Sequence, residues 1–311
     1  MVKQSIRLGT RTSPLAMKQA QLVSDALKQV HSDLEVVIVP IKSAADWKKQ
    51  DGEKALNAQA GGKGQFATEI ENAHLRGEID CGVHSTKDMP CILPDGLTIK
   101  HYMPRANVRD AFISQKASKI EDLPQGAVIG TCSPRRQSIA LEKRPDLKIV
   151  PFRGNIQTRL DKIRNDQVDA SFLAMAGIER LEIQDDMIHS LSLDDMLPAA
   201  GQGAICLETK TDDHDIHRLL DAISCTHTYL SVSAEREVLR FLDGSCHTPI
   251  GAYASIENNT MSLKGFVGSL DGQHQVYKQI EGECTSIEQA LKIASDLAVE
   301  LQADLPEGFL S

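Results

Sequence analysis

Two stretches of this sequence repeat one local design. Gly9-Thr10-Arg11-Thr12-Ser13-Pro14 and Gly130-Thr131-Cys132-Ser133-Pro134 each follow a short apolar run and precede a helix-like one. Ile6 to Gly9 reads as a strand, and Leu15, Leu22, Val23, Ala26, Leu27 and Val30 then keep a helical period. Ser13 suits the N-cap, and Pro14 the first helical position, where its missing N–H costs nothing. The second copy runs from a strand at Ala127 to Gly130 into a helix ending near Lys143. Two related α/β domains are therefore expected, each opening on a strand-to-helix turn, although the matching piece spans only a few residues.

The rest of the chain extends the pattern. Val36 to Val39, Ile79 to Val83, Lys148 to Phe152 and Ala170 to Leu173 read as strands; Ala67 to Leu75 and Ile156 to Arg164 read as helices. Alternation of this kind predicts mostly parallel sheets with helices on their faces. Breaks fall near Met103 to Asn107 and near Leu197 to Gly203. After about Cys225 the character changes. A helix at Tyr229 to Leu242, a loop at Gly244 to Pro249, two or three strands and an amphipathic helix at Ser286 to Leu301 predict a small α+β third domain.

With 311 residues the chain has room for two or three domains. Aromatics are only 4%, so the core must rest on aliphatic packing. No apolar run is long enough for a bilayer span, and the N-terminal stretch has no apolar segment of the secretory kind, so neither membrane nor export is expected. Seven scattered cysteines point to reduced thiols and a cytoplasmic setting. A net charge of −9 argues against nucleic acid. Yet Thr131 to Arg164 holds nine basic residues against three acidic ones, a local patch that suits a small, specific anion.

The chemistry gathers at strand ends. Both Ser-Pro turns offer backbone N–H groups at a helix N-terminus, a natural anion site. Arg11 stands in the first turn and Arg135 and Arg136 follow the second. Arginine matches a carboxylate with two parallel hydrogen bonds. Either turn alone reads as an ordinary cap with solvated arginines. Two such turns plus Arg153-Gly154-Asn155 after another strand read as a binding edge, because open α/β sheets bind ligands where their strands end. His84-Ser85-Thr86-Lys87-Asp88-Met89-Pro90 sets a cation beside a carboxylate at a further strand end. It is either a proton-handling and anion-binding pair or a surface turn closed by Pro90. Gly61-Gly62-Lys63-Gly64 fails the spacing of a phosphate loop and reads as a flexible loop. Cys246, in Gly-Ser-Cys-His-Thr-Pro, is a nucleophile, an attachment point or a plain thiol. Neither Cys225-Thr226-His227 nor Cys246-His247 has zinc-type spacing, so no metal is expected.

Taken together, these pieces resemble the hydroxymethylbilane synthase (porphobilinogen deaminase) family. The run includes Thr10 to Ala16, Gly61 to Gly64, Val83 to Pro90, Arg109-Asp110-Ala111-Phe112, Gly130 to Arg136, Arg153-Gly154-Asn155, Gly201-Gln202-Gly203-Ala204 and Gly244 to Gly251. The resemblance implies an α/β protein of three domains: two like type II periplasmic-binding-protein lobes, and a small α+β C-terminal one. The expected bounds are 1–103 with about 204–222, 104–203, and 226–311. It implies a dipyrromethane cofactor joined by a thioether to Cys246. It implies a cytoplasmic, monomeric transferase of haem biosynthesis that condenses four porphobilinogen molecules into hydroxymethylbilane with loss of ammonia. Asp88 matches the catalytic aspartate. Lys87, Ser133, Arg135, Arg136 and Arg159 match residues that hold cofactor carboxylates. Arg11, Ser13, Arg153, Asn155 and Arg180 match those that hold substrate carboxylates, and Lys63 falls in a lid loop. Porphobilinogen carries an acetate and a propionate, so a growing pyrrole chain is a polyanion, which accounts for many arginines in an acidic protein.

The sequence departs from the family pattern at Ala45, Gln65 and Thr68, in a longer 47–60 segment, and at Pro134. All but Pro134 lie in or near the lid, so they bear on its motion rather than on the chemistry. A two-lobed carboxylate receptor and a thiol or metal enzyme at Cys246 are the competing readings. A receptor needs neither Asp88 nor Cys246, and chelator-sensitive activity would favour the metal enzyme.

Overall fold

The computed structural model describes residues 4–42, 67–242 and 248–309. In chain order its elements are β1 (Ser5–Arg11), α1 (Pro14–Val30), β2 (Glu35–Ile41), α2 (Thr68–Leu75), β3 (Cys81–Ser85), β4 (Leu97–Tyr102), β5 (Asp110–Ser114), β6 (Val128–Gly130), α3 (Pro134–Lys143), β7 (Lys148–Val150), α4 (Ile156–Arg164), β8 (Ala170–Ala174), α5 (Met175–Arg180), β9 (Ile188–Ser190), β10 (Ile205–Lys210), α6 (His214–Asp221), α7 (Thr226–Phe241), β11 (Ile250–Glu257), β12 (Thr260–Gly268), β13 (Gln275–Glu283) and α8 (Ile287–Ala303). Among the described residues no helix is long and apolar enough to cross a membrane.

The described residues form two compact units. The first takes those up to Ala106 together with Gly203–Tyr229; the second takes Asn107–Gln202 and those from Leu230 on. Two of the changes of unit, at 106/107 and 202/203, fall within the breaks expected near 103–107 and 197–203; a third falls between Tyr229 and Leu230, inside α7. The first unit holds a five-stranded sheet of order β2-β1-β3-β10-β4, the second one of order β7-β6-β8-β5-β9. The two orders are the same design. In each, an early strand (β1 or β6) pairs in parallel with two neighbours, and one strand (β10 or β5) runs antiparallel between two others. In each, the reversed strand is the first that the chain forms after changing unit. The expected mostly parallel sheets are present, each with this one reversed member.

The repeated turns form as their residues dictate. Ser13 Oγ accepts from Ala16 N at 3.3 Å, and Pro14 opens α1. Ala20, Val23, Ser24 and Leu27 then bury one face of α1 against Ile6 and Leu8 of β1 and Leu207 of β10. Ser133 Oγ accepts from Arg136 N at 3.5 Å, and Pro134 opens α3. Ile139 and Ala140 of α3 pack with Ile129, Phe112 and Phe172. The strand expected at Ile79 to Val83 begins two residues later. Ile79 turns into a small cluster with Ile70 and Ala73, and Asp80 pairs with Arg7 across to β1.

The chain closes on an antiparallel meander, β11-β12-β13, with α8 against it. A two-residue loop joins β11 to β12, with Asn258 and Asn259 both at positive φ, as a tight hairpin requires. Phe266 of β12 enters the same core as Phe112 and Ile139, which places the small α+β body on the second sheet.

Candidate functional site

Each unit presents one chemical edge, at the carboxyl ends of its parallel strands. In the first unit β1 and β3 are parallel neighbours, so the turns after them leave the same edge. The turn after β1 carries Arg11 and Ser13. The turn after β3 is a single 3-10 turn, Thr86–Asp88, that carries Lys87 and Asp88. This second turn is pinned at three successive residues. His84 Nε2 meets Glu208 Oε2 at 3.0 Å. Ser85 Oγ accepts from Gln19 Nε2 at 2.8 Å. Thr86 donates to the Ala204 carbonyl from both N and Oγ1, at 3.1 Å each. Asp88 is half-buried, and the backbone that carries it has little freedom to drift. The stretch is thus an anchored turn on which Lys87 and Asp88 stay partly exposed.

Beneath it lies a buried acid–base group that the sequence did not signal. Glu208 is fully buried, and His74 Nε2 contacts its backbone carbonyl at 3.0 Å. Burial holds the His74 pKa below its ordinary value and, with Glu208 nearby, pushes the Glu71 carboxyl up.

The second unit's edge is basic. β6, β7 and β8 are adjacent, and β6 runs parallel to both neighbours. Ser133, Arg135 and Arg136 follow β6; Arg153, Asn155 and Arg159 follow β7; Arg180 closes α5, which follows β8. Asn155 caps α4, accepting from Thr158 N at 2.8 Å and Thr158 Oγ1 at 2.9 Å. The turn before it needs Gly154: φ is +123°, and a Cβ there would come within 2.8 Å of Thr158 Cγ2. Arg159 Nε and Lys162 Nζ donate to the Gly154 and Arg153 carbonyls, so these two cations brace the turn from below. Burial holds Arg180 below the ordinary arginine pKa.

Arg135 and Arg136 are neither solvated nor simply turned outward. Each is nearly buried, at 4% and 7% exposure, and both grip Asp110, which is 0% exposed at the start of β5. Arg135 Nη2 donates to Asp110 Oδ2 at 2.8 Å; Arg136 Nε and Nη2 donate to Oδ1 at 3.1 and 2.5 Å. The remaining reach goes to backbone: Arg135 to the Leu197 carbonyl and Arg136 to that of Phe172. Desolvation lowers the Arg135 pKa, Asp110 opposes that, and Arg136 beside it adds to it.

This cluster tests whether a covalently held carboxylate-bearing group fits the chain. Two guanidinium groups against one carboxylate leave a surplus positive charge. Nε of Arg135 is buried with no hydrogen-bond partner among the described residues. The strand β11, which follows Cys246 in sequence, runs past the same side chain: a Cβ at Gly251 would lie 3.3 Å from Arg135 Cδ. An anion tethered shortly before that strand therefore has a matching charge beside it, and the residues present fit it. Cys246 itself lies outside the described residues, as do Lys63, Ala45, Gln65 and the 47–60 segment.

The sequence singles out the arginines as candidates and Asp110 only as part of a matching stretch, because its partners stand 25 and 26 residues away and leave no local periodic signal. It also gives no sign of Gln19 and Glu208, which only the packing of α1 and of β10 against β3 brings to the Asp88 turn.

Comparison with known proteins agrees along the whole chain. A family model described as "Porphobilinogen deaminase, dipyromethane cofactor binding domain" matches residues 6–218. A second, "Porphobilinogen deaminase, C-terminal domain", matches 229–303. A porphobilinogen deaminase of Nitrobacter hamburgensis is 42% identical over 98% of this chain and 95% of its own length. A chloroplastic one of Oryza sativa subsp. japonica is 43% identical, covering 98% and 85%. Among solved structures, the periplasmic aliphatic sulphonate binding protein of Escherichia coli aligns at a TM-score of 0.42 and 13% identity, over 76% of this chain and 70% of that one. With two family models in sequence order and relatives of this identity over nearly its full length, the chain belongs to the porphobilinogen deaminase family.

Proposed function

We propose that this chain performs the reaction of its family: head-to-tail condensation of four porphobilinogen molecules, with loss of ammonia, to give hydroxymethylbilane for tetrapyrrole biosynthesis. A dipyrromethane bound by a thioether to Cys246 supplies the primer on which the pyrroles are added. Asp88 is the catalytic residue. Loss of ammonia builds positive charge on the pyrrole, and a carboxylate held on a pinned turn can offset that charge and move a proton at the ring N–H without reorganising first. Lys87, Ser133, Arg135, Arg136 and Arg159 hold carboxylates of the cofactor. Arg11, Ser13, Arg153, Asn155 and Arg180 hold those of incoming substrate, and Lys63 belongs to a lid over them. Cys246 needs no adjacent base, because the carbon it attacks is strongly electrophilic.

The observation that carries this reading is the surplus charge of the Asp110–Arg135–Arg136 cluster beside β11, the strand that follows Cys246 in sequence. An arginine set inside a protein of net charge −9 is matched to a small polyanion, and a two-armed pyrrole chain is one. We further assign three domains (1–103 with about 204–222, 104–203, 226–311) and a monomeric, cytoplasmic transferase.

Intact-mass spectrometry of protein from cells that make porphobilinogen tests the reading. The expected mass exceeds that of the bare chain by one dipyrrole, and Cys246→Ala should abolish the increment. A bare chain, or an alanine variant that still carries the dipyrrole, would overturn the attachment site. Ammonia release from porphobilinogen separates this enzyme from a carboxylate receptor that keeps the fold without turnover.

A further inference from the structure

We infer that Asp110 is a positioning residue for cofactor binding: its carboxylate sets the aim of Arg135 and Arg136 and leaves their surplus charge directed at one ligand carboxylate. The inference rests on the proposed role of those arginines.

Three features of the cluster carry it. First, neighbouring residues on a helix point about 100° apart, so Arg135 and Arg136 do not converge by helix geometry alone. Asp110 is what brings them together, with one guanidinium on each carboxylate oxygen. Second, the bonds fix orientation as well as distance. Arg136 places Nε and Nη2 on the same oxygen while its Nη1 is held by the Phe172 carbonyl at 2.9 Å, which fixes the plane of its fork. Third, the charge count is unbalanced. A purely structural ion pair inside a protein tends toward neutrality, because each uncompensated buried charge is costly. Here two cations share one anion in a setting that is nearly closed to solvent. A second carboxylate completes the count, and the Arg135 Nε without a partner is a donor for it. Asp110 belongs to the Arg109-Asp110-Ala111-Phe112 stretch, which the reaction otherwise leaves without a task.

A double-mutant cycle tests this on full-length, cofactor-free chain made in cells that lack porphobilinogen. Each protein is incubated with porphobilinogen, and the growth of the dipyrrole-bearing species is followed by intact mass. Thermal unfolding of the unloaded protein is measured alongside. Arg136→Gln and Asp110→Asn should each slow loading about tenfold or more, and the double variant should load no more slowly than the worse single one. Asp110→Glu keeps the charge and moves it by one methylene, which guards against a variant that fails to fold. It should unfold within a few degrees of the parent, load at least about fivefold more slowly, and lose nothing further when Arg136→Gln is added. Loading of Asp110→Glu at the parent rate, or losses that multiply in either cycle, would overturn the inference while leaving the arginines in place. Parent-like loading by both Arg135→Gln and Arg136→Gln would instead remove the arginine reading, and the inference with it.

Discussion

The two units share a sheet order, a Ser-Pro strand-to-helix turn and a reversed strand, yet their chemical edges differ in kind. The first unit's edge carries Asp88 on a pinned turn above buried histidines and carboxylates. The second unit's edge carries arginines, with one buried aspartate between two of them. The shared frame supplies helix N-termini at strand ends, which suit anions in general. What each edge does with an anion depends on the residues set into it: on the proposed function, proton handling in one case and charge matching in the other.

The largest test of this contrast is Asp88→Asn. Removing the carboxylate proposed to handle the proton should cut turnover by about 10²–10⁴-fold while cofactor loading and thermal stability change little. Equal losses from removing any single arginine of the second edge would erase the division of labour.

A smaller effect sharpens the comparison through acid. His101, in the first unit, is held below the ordinary histidine pKa of 6.5 by burial, against the pull of Asp221. The unfolded chain therefore takes up this proton more readily than the folded unit. Stability present above that pH falls as the pH drops through it toward the lowered folded value. Glu71, raised by burial, gains its proton more readily in the fold and offsets part of the loss, so the informative comparison is with His101→Gln. Between pH 7 and 5 the variant should lose less hydrogen-exchange protection in β3, β4 and β10 than the parent. In the second unit the shifted carboxylates Asp146, Asp169 and Asp195 are held below 3.8 by bonds from Arg144, Lys116 and Lys143. Their contribution persists above that pH, so β6 to β8 should be unaffected by the variant. A change of equal size in both units would defeat the argument.

Gly154→Ala forces a strained φ and a clash with Thr158, and should cost about 1–3 kcal/mol in chemical denaturation. The smallest effects are those of the two caps. Ser13→Ala and Ser133→Ala should each cost about 1 kcal/mol, with the longer 3.5 Å bond of Ser133 placing it at the lower end. A much larger loss of substrate affinity than of stability at either would show that serine binding ligand as well as capping.

Much of the frame was legible because it is local. Caps, prolines and helical periods announced α1, α3 and α4, and the breaks near 103–107 and 197–203 marked two of the changes of unit, though not the one at 229/230 inside α7. β5 and β10 went unnoticed. Each contains a fully buried acid, Asp110 at the start of β5 or Glu208 after Ile-Cys-Leu in β10, that bounds an apolar run of only three residues in its strand and reads as surface. Their justification lies far along the chain, in Arg135 and Arg136 for one and His84 for the other. The same remoteness hid the anchoring of the Asp88 turn. The arginines were found by type and position; the cluster that two of them form with Asp110 was not, because spacing carries no record of a shared counter-ion.

The reversed strands also govern the order in which the chain can be built. During synthesis from the N-terminus, β4 emerges about a hundred residues before β10, the strand that lies between it and β3. Until then β3 shows an unpaired edge and β4 has no neighbour in its sheet. The second sheet suffers no such wait, since β5 through β9 emerge in one stretch. Of the two five-stranded sheets, the one begun first is thus the one completed last, and its β3 edge stays open for longest.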